Sequence, residues 1–198
     1  MARNKRFGGW LLPVAAVAVV AGVLTSGAMV WSASNAAFSG TTTNASNSWA
    51  AGTVTISDDD AGVAMYNSLT GLTPASGSLV RCIQVTYTGS VTAPVKLYAG
   101  ALGGTGLGTY LNITIEKGTG ATFGSSCAGF AGASTILATT TLATFASTYT
   151  SYSNGVATGW SPTGSGQTQS FRFTISVADN NSANGLSCTL PFTWEAQA

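Results

Sequence analysis

Phe171-Arg172-Phe173-Thr174-Ile175-Ser176-Val177 is the stretch that decides the fold. Four apolar side chains alternate with Arg172, Thr174 and Ser176. Successive residues of a strand point to opposite faces, so this pattern predicts a strand with one buried face. The same alternation recurs on both sides of it. Val54 and Ile56 alternate with Thr53 and Thr55, and Val95, Leu97 and Ala99 with Lys96 and Tyr98. Leu111, Ile113 and Ile115 alternate with Asn112, Thr114 and Glu116, and Leu190, Phe192 and Trp194 with Thr189, Thr193 and Glu195. Leu79–Thr88 is also strand-like, with Leu79, Ile83, Val85 and Tyr87 on one face and Arg81 interrupting it. Gly/Ser/Thr-rich turns at 100–108, 118–126 and 161–168 separate these segments. Leu142, Phe145 and Tyr149 give one helical hint in a stretch dominated by Thr and Ser, which are poor helix formers. Strands without a βαβ rhythm predict an all-β chain, a jelly-roll-like β-sandwich of seven to nine strands.

Composition supports a folded chain. Of 198 residues, 45% are hydrophobic and only 7% are charged, the opposite of a disordered profile. Few cations argue against nucleic acid, because phosphate binding needs clustered Lys and Arg.

The N-terminus has three parts. Arg3, Lys5 and Arg6 are followed by an apolar stretch from Trp10 to Val30, then by the small residues Ser32, Ala33, Ser34, Asn35, Ala36 and Ala37. This is the layout of a secretory signal helix over 1–37. The competing reading is a retained anchor, since the stretch is long enough to span a bilayer. Membrane contact is expected only through that segment. Residues 38–51 then read as an extended lead and 52–198 as the β-sandwich domain. After cleavage before Phe38, four cations face six anions, a net charge of −2. Surfaces so poor in charge repel one another weakly, which favours self-association.

Export permits disulfides, and the mature chain holds Cys82, Cys127 and Cys188. Cys188 shares a face with Leu190, Phe192 and Trp194. If Leu79, Ile83 and Val85 face the core, Cys82 points away from it, towards a face that the loop carrying Cys127 can reach. A Cys82–Cys127 bridge is therefore expected. Pairing of Cys188 instead, or three reduced thiols, stays open at the level of sequence.

Most catalytic constellations are absent. Without histidine there is no Ser-His-Asp triad, no Cys-His pair and no HExxH zinc site. The glycines at 103–108 lie between strand-like segments, where a hairpin loop fits better than a phosphate cradle. Glu116 and Glu195 are the nominees for a glycosidase pair, but each falls on the polar face of its own strand. Asp58-Asp59-Asp60 is the one acidic run. A structural calcium ion is the conceivable cofactor there, although the spacing is not that of an EF-hand and a solvated turn after Ile56 is the simpler reading. Trp160 and Tyr152, in a Gly/Ser/Thr-rich region, are candidates for stacking on a sugar ring. Sequons at Asn44, Asn112 and Asn180 are assigned no function.

Several stretches occur together in a telling order. Val30-Trp31-Ser32-Ala33-Ser34-Asn35-Ala36-Ala37-Phe38-Ser39 is followed by Trp49-Ala50-Ala51-Gly52-Thr53-Val54-Thr55-Ile56. Arg81-Cys82-Ile83-Gln84-Val85-Thr86-Tyr87-Thr88-Gly89 and the ending Phe192-Thr193-Trp194-Glu195-Ala196-Gln197 come later. Over most of its length the chain resembles the TasA/camelysin family of secreted proteins. The resemblance implies cleavage near Ala37–Phe38 by a dedicated signal peptidase. It also implies a jelly-roll subunit of extracellular-matrix fibres, whose lead segment, about 38–51, inserts as a strand into the next subunit with Phe38 and Trp49 as anchors. The partners are then other copies of the chain or related matrix and cell-wall components. Camelysin has been classed as a metalloendopeptidase, an activity for which this chain has neither histidine nor ligand spacing. The expectation is an exported structural protein without enzymatic activity. A carbohydrate- or surface-binding module is the alternative, and a secreted metalloprotease the least favoured one.

Overall fold

Alternating stretches become sheet when they find partners, and here nearly all do. A computed structural model describes residues 50–67, 69–124 and 126–198. The expected signal helix, Ala37, Phe38, Asn44 and Trp49 lie outside the described residues. Residues Ala50–Ala198 form one compact unit. Its strands are β1 (Ile56–Asp58), β2 (Leu79–Tyr87), β3 (Val95–Ala99), β4 (Gly103–Gly104), β5 (Leu111–Thr119), β6 (Ala131–Thr141), β7 (Val156–Trp160), β8 (Gln167–Val177), β9 (Cys188–Thr189) and β10 (Phe192–Ala196). One helix, α1 (Leu142–Thr148), follows β6. The fold is all-β, and every ladder is antiparallel.

The decisive stretch lies in β8, at the centre of a five-stranded sheet of order β1-β2-β8-β5-β6. Phe171 faces Ile83 of β2 across the ladder, and Ile175 faces Ile113 of β5. Phe171 and Phe173 have no exposed surface, and burying such a ring contributes roughly 1.5–3 kcal/mol. A three-stranded sheet of order β10-β3-β7 supplies the opposing side chains. The Phe173 ring meets that of Phe192 at 5.0 Å, and the Phe171 ring meets that of Trp194 at 5.8 Å. Leu97 and Val156 join the same core. A two-residue ladder joins β4 to β9.

Two cations fall on inward-pointing positions, and both are hydrogen-bonded to backbone carbonyls. Arg81 sits near the start of β2, where its Nε donates to the Met65 carbonyl (3.1 Å) and its Nη1 to the Val80 carbonyl (2.9 Å). Its guanidinium lies 5.6 Å from the Tyr66 ring centre. The Tyr66 hydroxyl donates to the carbonyls of Leu79 (3.2 Å) and Phe173 (3.0 Å), and burial pushes its pKa well above the usual phenol range. Tyr66 and Arg81 thus plug the end of the sheet where the apolar pattern breaks. Lys117, opposite Phe171 in β5, reaches the other sheet and donates to the Gly159 carbonyl at 2.9 Å. Gly159 has φ +63°, and a Cβ there would lie 2.8 Å from the ammonium. Glycine alone satisfies both conditions.

Three differences from the sequence reading have physical reasons. The strand expected over 189–195 is split at Leu190–Pro191 into β9 and β10, because proline has no N–H for the ladder. The strand expected from Gly52 becomes a ladder only at Ile56–Asp58. Before it, the chain bonds singly through the Thr53 and Thr55 carbonyls to the amides of Ser90 and Thr88. The helical hint becomes α1, whose first turn is capped when the Thr141 hydroxyl accepts from Thr144 N. Among the described residues the total is ten strands against an expected seven to nine, two of the ten having only two residues.

Candidate functional site

The strand edges differ in how well they are closed. β6 carries three register shifts against β5, and bulges of this kind twist an edge away from new partners. β7 is short and slips once against β3. The outer edge of β2 meets β1 over Val85–Tyr87. Where β1 ends, the edge is taken over by Gly124, which exchanges both backbone hydrogen bonds with Cys82 (2.9 and 3.1 Å). β10 is different. It pairs with β3 over five consecutive residues without a shift, and among the described residues it has no partner on its other edge. All five of its residues are only half-buried, whereas the inward residues of β3 are fully buried. The indole Nε1 of Trp194 is buried and, among the described residues, has no hydrogen-bond partner.

The loop that closes β2 is held by the expected bridge. Cys82 and Cys127 form a disulfide with Cα atoms 5.3 Å apart, and Cys188 is a free, half-buried thiol whose pKa burial raises. The bridge lies on the outward face of the five-stranded sheet, as the periodicity of β2 required. Cys127 adopts φ +46°, unusual for a residue with a side chain. Phe130, later in the same loop, packs its ring 4.6 Å from the Arg172 guanidinium. A Cβ on Gly118 would come within 2.6 Å of the Phe130 ring. The Ser170 hydroxyl donates to the Ala121 carbonyl at 2.6 Å.

The acidic run takes part in this closure. Asp59 accepts from Gln84 N through Oδ1 (2.8 Å) and from Phe123 N through Oδ2 (2.7 Å), tying β2 to the loop. Asp60 accepts from Gly62 N and shapes the turn after β1. Asp58 is raised above its usual value, first by burial and then by Asp60 beside it. Asp59 is thus engaged by backbone amides, while Asp58 and Asp60 lie against each other. Among the described residues no group of three or more Asp, Glu or Cys is arranged to hold a metal ion.

The other nominated residues do not converge. Glu116 forms an ion pair with Arg172 at 2.6 Å on the outward face of the five-stranded sheet. Glu195 lies on the outward face of the three-stranded sheet, where it accepts from the Tyr98 hydroxyl at 2.7 Å. Two carboxylates on opposite outer faces cannot flank one glycosidic bond. Trp160 follows buried Val156 and Thr158 in alternation and packs against the core. Tyr152 donates its hydroxyl to the Pro94 carbonyl at 3.0 Å, with Lys96 Nζ 4.9 Å from its ring centre. The two aromatics therefore do not share an open platform.

Sequence reasoning missed Asp59 as a tie, Phe130 as a cover and Tyr98 as the partner of Glu195. Only the last had a local signal, since Tyr98 and Lys96 alternate on the polar face of a recognised strand. No family model matches the sequence, and no curated protein matches it either.

Proposed function

We propose that this chain is an exported structural subunit of the cell surface or extracellular matrix, with no enzymatic activity of its own, that assembles head to tail. Residues 38–51 of one copy, anchored by Phe38 and Trp49, add as a strand to the β10 edge of the next. The observation that carries this reading is the β10 edge, which is regular, half-exposed and, among the described residues, paired on one side only. An extended segment adds to such an edge through main-chain hydrogen bonds, with side chains as anchors. A head-to-tail contact does not close on itself, so it propagates into a filament.

The strand orders support a jelly-roll reading. That fold packs two four-stranded sheets. Here β2-β8-β5-β6 supplies one set of four and β10-β3-β7 only three of the other, leaving a place beside β10. A disulfide fits an oxidising exterior. The chain has no histidine for acid–base work.

Negative-stain electron microscopy of purified 38–198 beside 52–198 tests the proposal. Filaments are expected from the longer form alone. Filaments from both forms would remove strand donation and keep the structural role. Monomer-sized particles from both, across pH and salt, would overturn the reading.

A further inference from the structure

We propose that Asn184-Gly185 is a site of spontaneous covalent modification, at which the folded chain converts its own asparagine to aspartate and isoaspartate with water as the co-reactant. This is independent of assembly through the β10 edge. The Asn-Gly pair occurs twice, at Asn154-Gly155 and at Asn184-Gly185. Glycine has no side chain to shield its nitrogen, so the two pairs share one intrinsic chemistry. The fold treats them differently. Asn154 Oδ1 accepts from Thr150 N (3.1 Å), from Ser151 N (2.9 Å) and from the Ser151 hydroxyl (3.0 Å). Its Nδ2 donates to the Thr148 carbonyl (2.8 Å) and the Thr150 hydroxyl (3.0 Å). Gly155 N donates to the Tyr152 carbonyl at 3.3 Å. A Cβ on Gly155 would lie 3.1 Å from the Ser151 carbonyl oxygen and 3.2 Å from that of Leu97, so the backbone there has little room to turn.

Asn184 and Gly185 are instead the two central residues of an exposed turn, closed where Leu186 N donates to the Ala183 carbonyl at 3.3 Å. Asn184 has φ −64° and ψ 131°, and Gly185 has φ +73°. These are the angles of a type II turn, whose second central position favours glycine. The N–H between the two central residues takes no part in the bond that closes such a turn. Among the described residues neither Gly185 N nor the Asn184 side-chain amide has a hydrogen-bond partner. A Cβ on Gly185 would meet nothing within 4 Å, so the turn stands in open space.

The reaction uses only this pair and water. Hydroxide takes the proton from Gly185 N, and that nitrogen attacks Asn184 Cγ. A C–N bond forms, the Cγ–Nδ2 bond breaks, and ammonia leaves with a proton from water. Water then opens the cyclic imide at either carbonyl, giving aspartate or isoaspartate. The net change is one water consumed and one ammonia released. To bring nitrogen and Cγ together, Asn184 rotates about its own bonds at the cost of one exposed turn bond. Asn154 must first give up the five side-chain bonds and the Gly155 bond. Each such bond resists opening, so Asn184 should convert at least about tenfold faster. Either product puts a negative charge in the turn that leads into β9.

The test is peptide mapping by mass spectrometry of the full chain, held folded in mildly alkaline heavy-oxygen water and sampled over time. The peptide carrying Asn184 should gain the mass of an acid over an amide together with the oxygen label, and should split into aspartate and isoaspartate forms. The peptide carrying Asn154 should stay unconverted over the same period. In denaturant, where the bonds around Asn154 are gone, the two sites should convert at about the same rate. Asn184→Gln, which keeps the amide but cannot close the same ring, should lose the conversion and leave Asn154 as it was. No conversion at Asn184 in the folded chain would overturn the proposal, as would equal rates at the two sites. A ratio that persists in denaturant would assign the difference to local sequence and overturn the structural argument.

Discussion

β1, which lies on the outer edge of β2, comes close to β10, yet the chain treats the edges of β2 and β10 in opposite ways. The β2 edge is closed by β1, by the Gly124 bridge, by both oxygens of Asp59 and by the disulfide. The β10 edge, among the described residues, has no strand paired to it. Exposed strand edges are sites of unwanted pairing, and proteins normally blunt them. The bare edge is the one that we propose receives the incoming strand. Each prediction below attacks one side of this contrast.

The largest effect is expected from the bridge. Cys82→Ser combined with Cys127→Ser, or reduction of the native protein, should cost about 2–4 kcal/mol, since the bridge closes a loop of 45 residues. For a chain of this size that lowers Tm by roughly 5–15 °C. Calorimetry with and without reductant measures it. Hydrogen exchange should show the amides of Cys82 and Gly124 losing protection before those in the middle of β8. If they keep full protection after reduction, the loop is not an edge cover and the contrast fails.

Asp59→Ala comes next. It leaves the Gln84 and Phe123 amides without their acceptor, and loss of two partly exposed bonds is expected to cost about 1–2 kcal/mol. Chemical denaturation measures it. A cost equal to that of Asp60→Ala would show that Asp59 is no more than a turn residue.

How much of this was legible in advance follows from the local physics of each part. β8, β5 and β3 could be read because one face of each is buried, and burial leaves a period of two in the sequence. β6 could not. It is an exposed, three-times bulged edge, and of Ala131–Thr141 only Leu137 is fully buried in the core, which leaves no alternating face in the sequence. β7 is short and interrupted by Gly159, which serves Lys117 and not the strand. The Cys82–Cys127 bridge was legible because the face of a strand residue follows from its parity. The roles of Asp59 and Phe130 were not, because each depends on contacts between residues far apart in the chain, 25 and 64 positions for the two Asp59 bonds. The edge of β10 was invisible for a different reason: whether a strand is central or terminal is a property of the sheet.

Trp194→Phe sharpens the other side of the contrast. It removes a buried N–H without a partner, and deleting an unsatisfied donor offsets the lost ring area. The isolated protein is expected to change by less than about 1 kcal/mol, against about 3–5 kcal/mol for Phe173→Ala in the closed core. If assembly of 38–198 weakens in Trp194→Phe while monomer stability does not, the indole N–H finds its acceptor on the incoming strand. A large destabilisation of the monomer would mean that β10 is as firmly packed as β8.

The smallest effect separates the two edges by sign. Asp58, at the closed edge, is held above its usual 3.8 by burial and by Asp60. An acid whose folded pKa is raised disfavours the fold when ionised, so its penalty is present at pH 7 and disappears as pH falls through the raised value towards 3.8. Glu195, on β10, is held below its usual 4.5 by Gln197 and Tyr98. Its contribution is favourable above that usual value and disappears as pH falls through the depressed one. Asp58→Asn should therefore raise Tm slightly at pH 7, and Glu195→Gln should lower it slightly. Solvent screens both groups, so the shifts are small. Melting curves of the two variants against the parent, from pH 7 to pH 3, should converge from opposite sides, Asp58→Asn from above and Glu195→Gln from below. Convergence from the same side would mean that one of the two carboxylates is not held as the geometry has it. For Asp58 this would remove the repulsion that Asp60 and Asp59 exert on it at the closed edge.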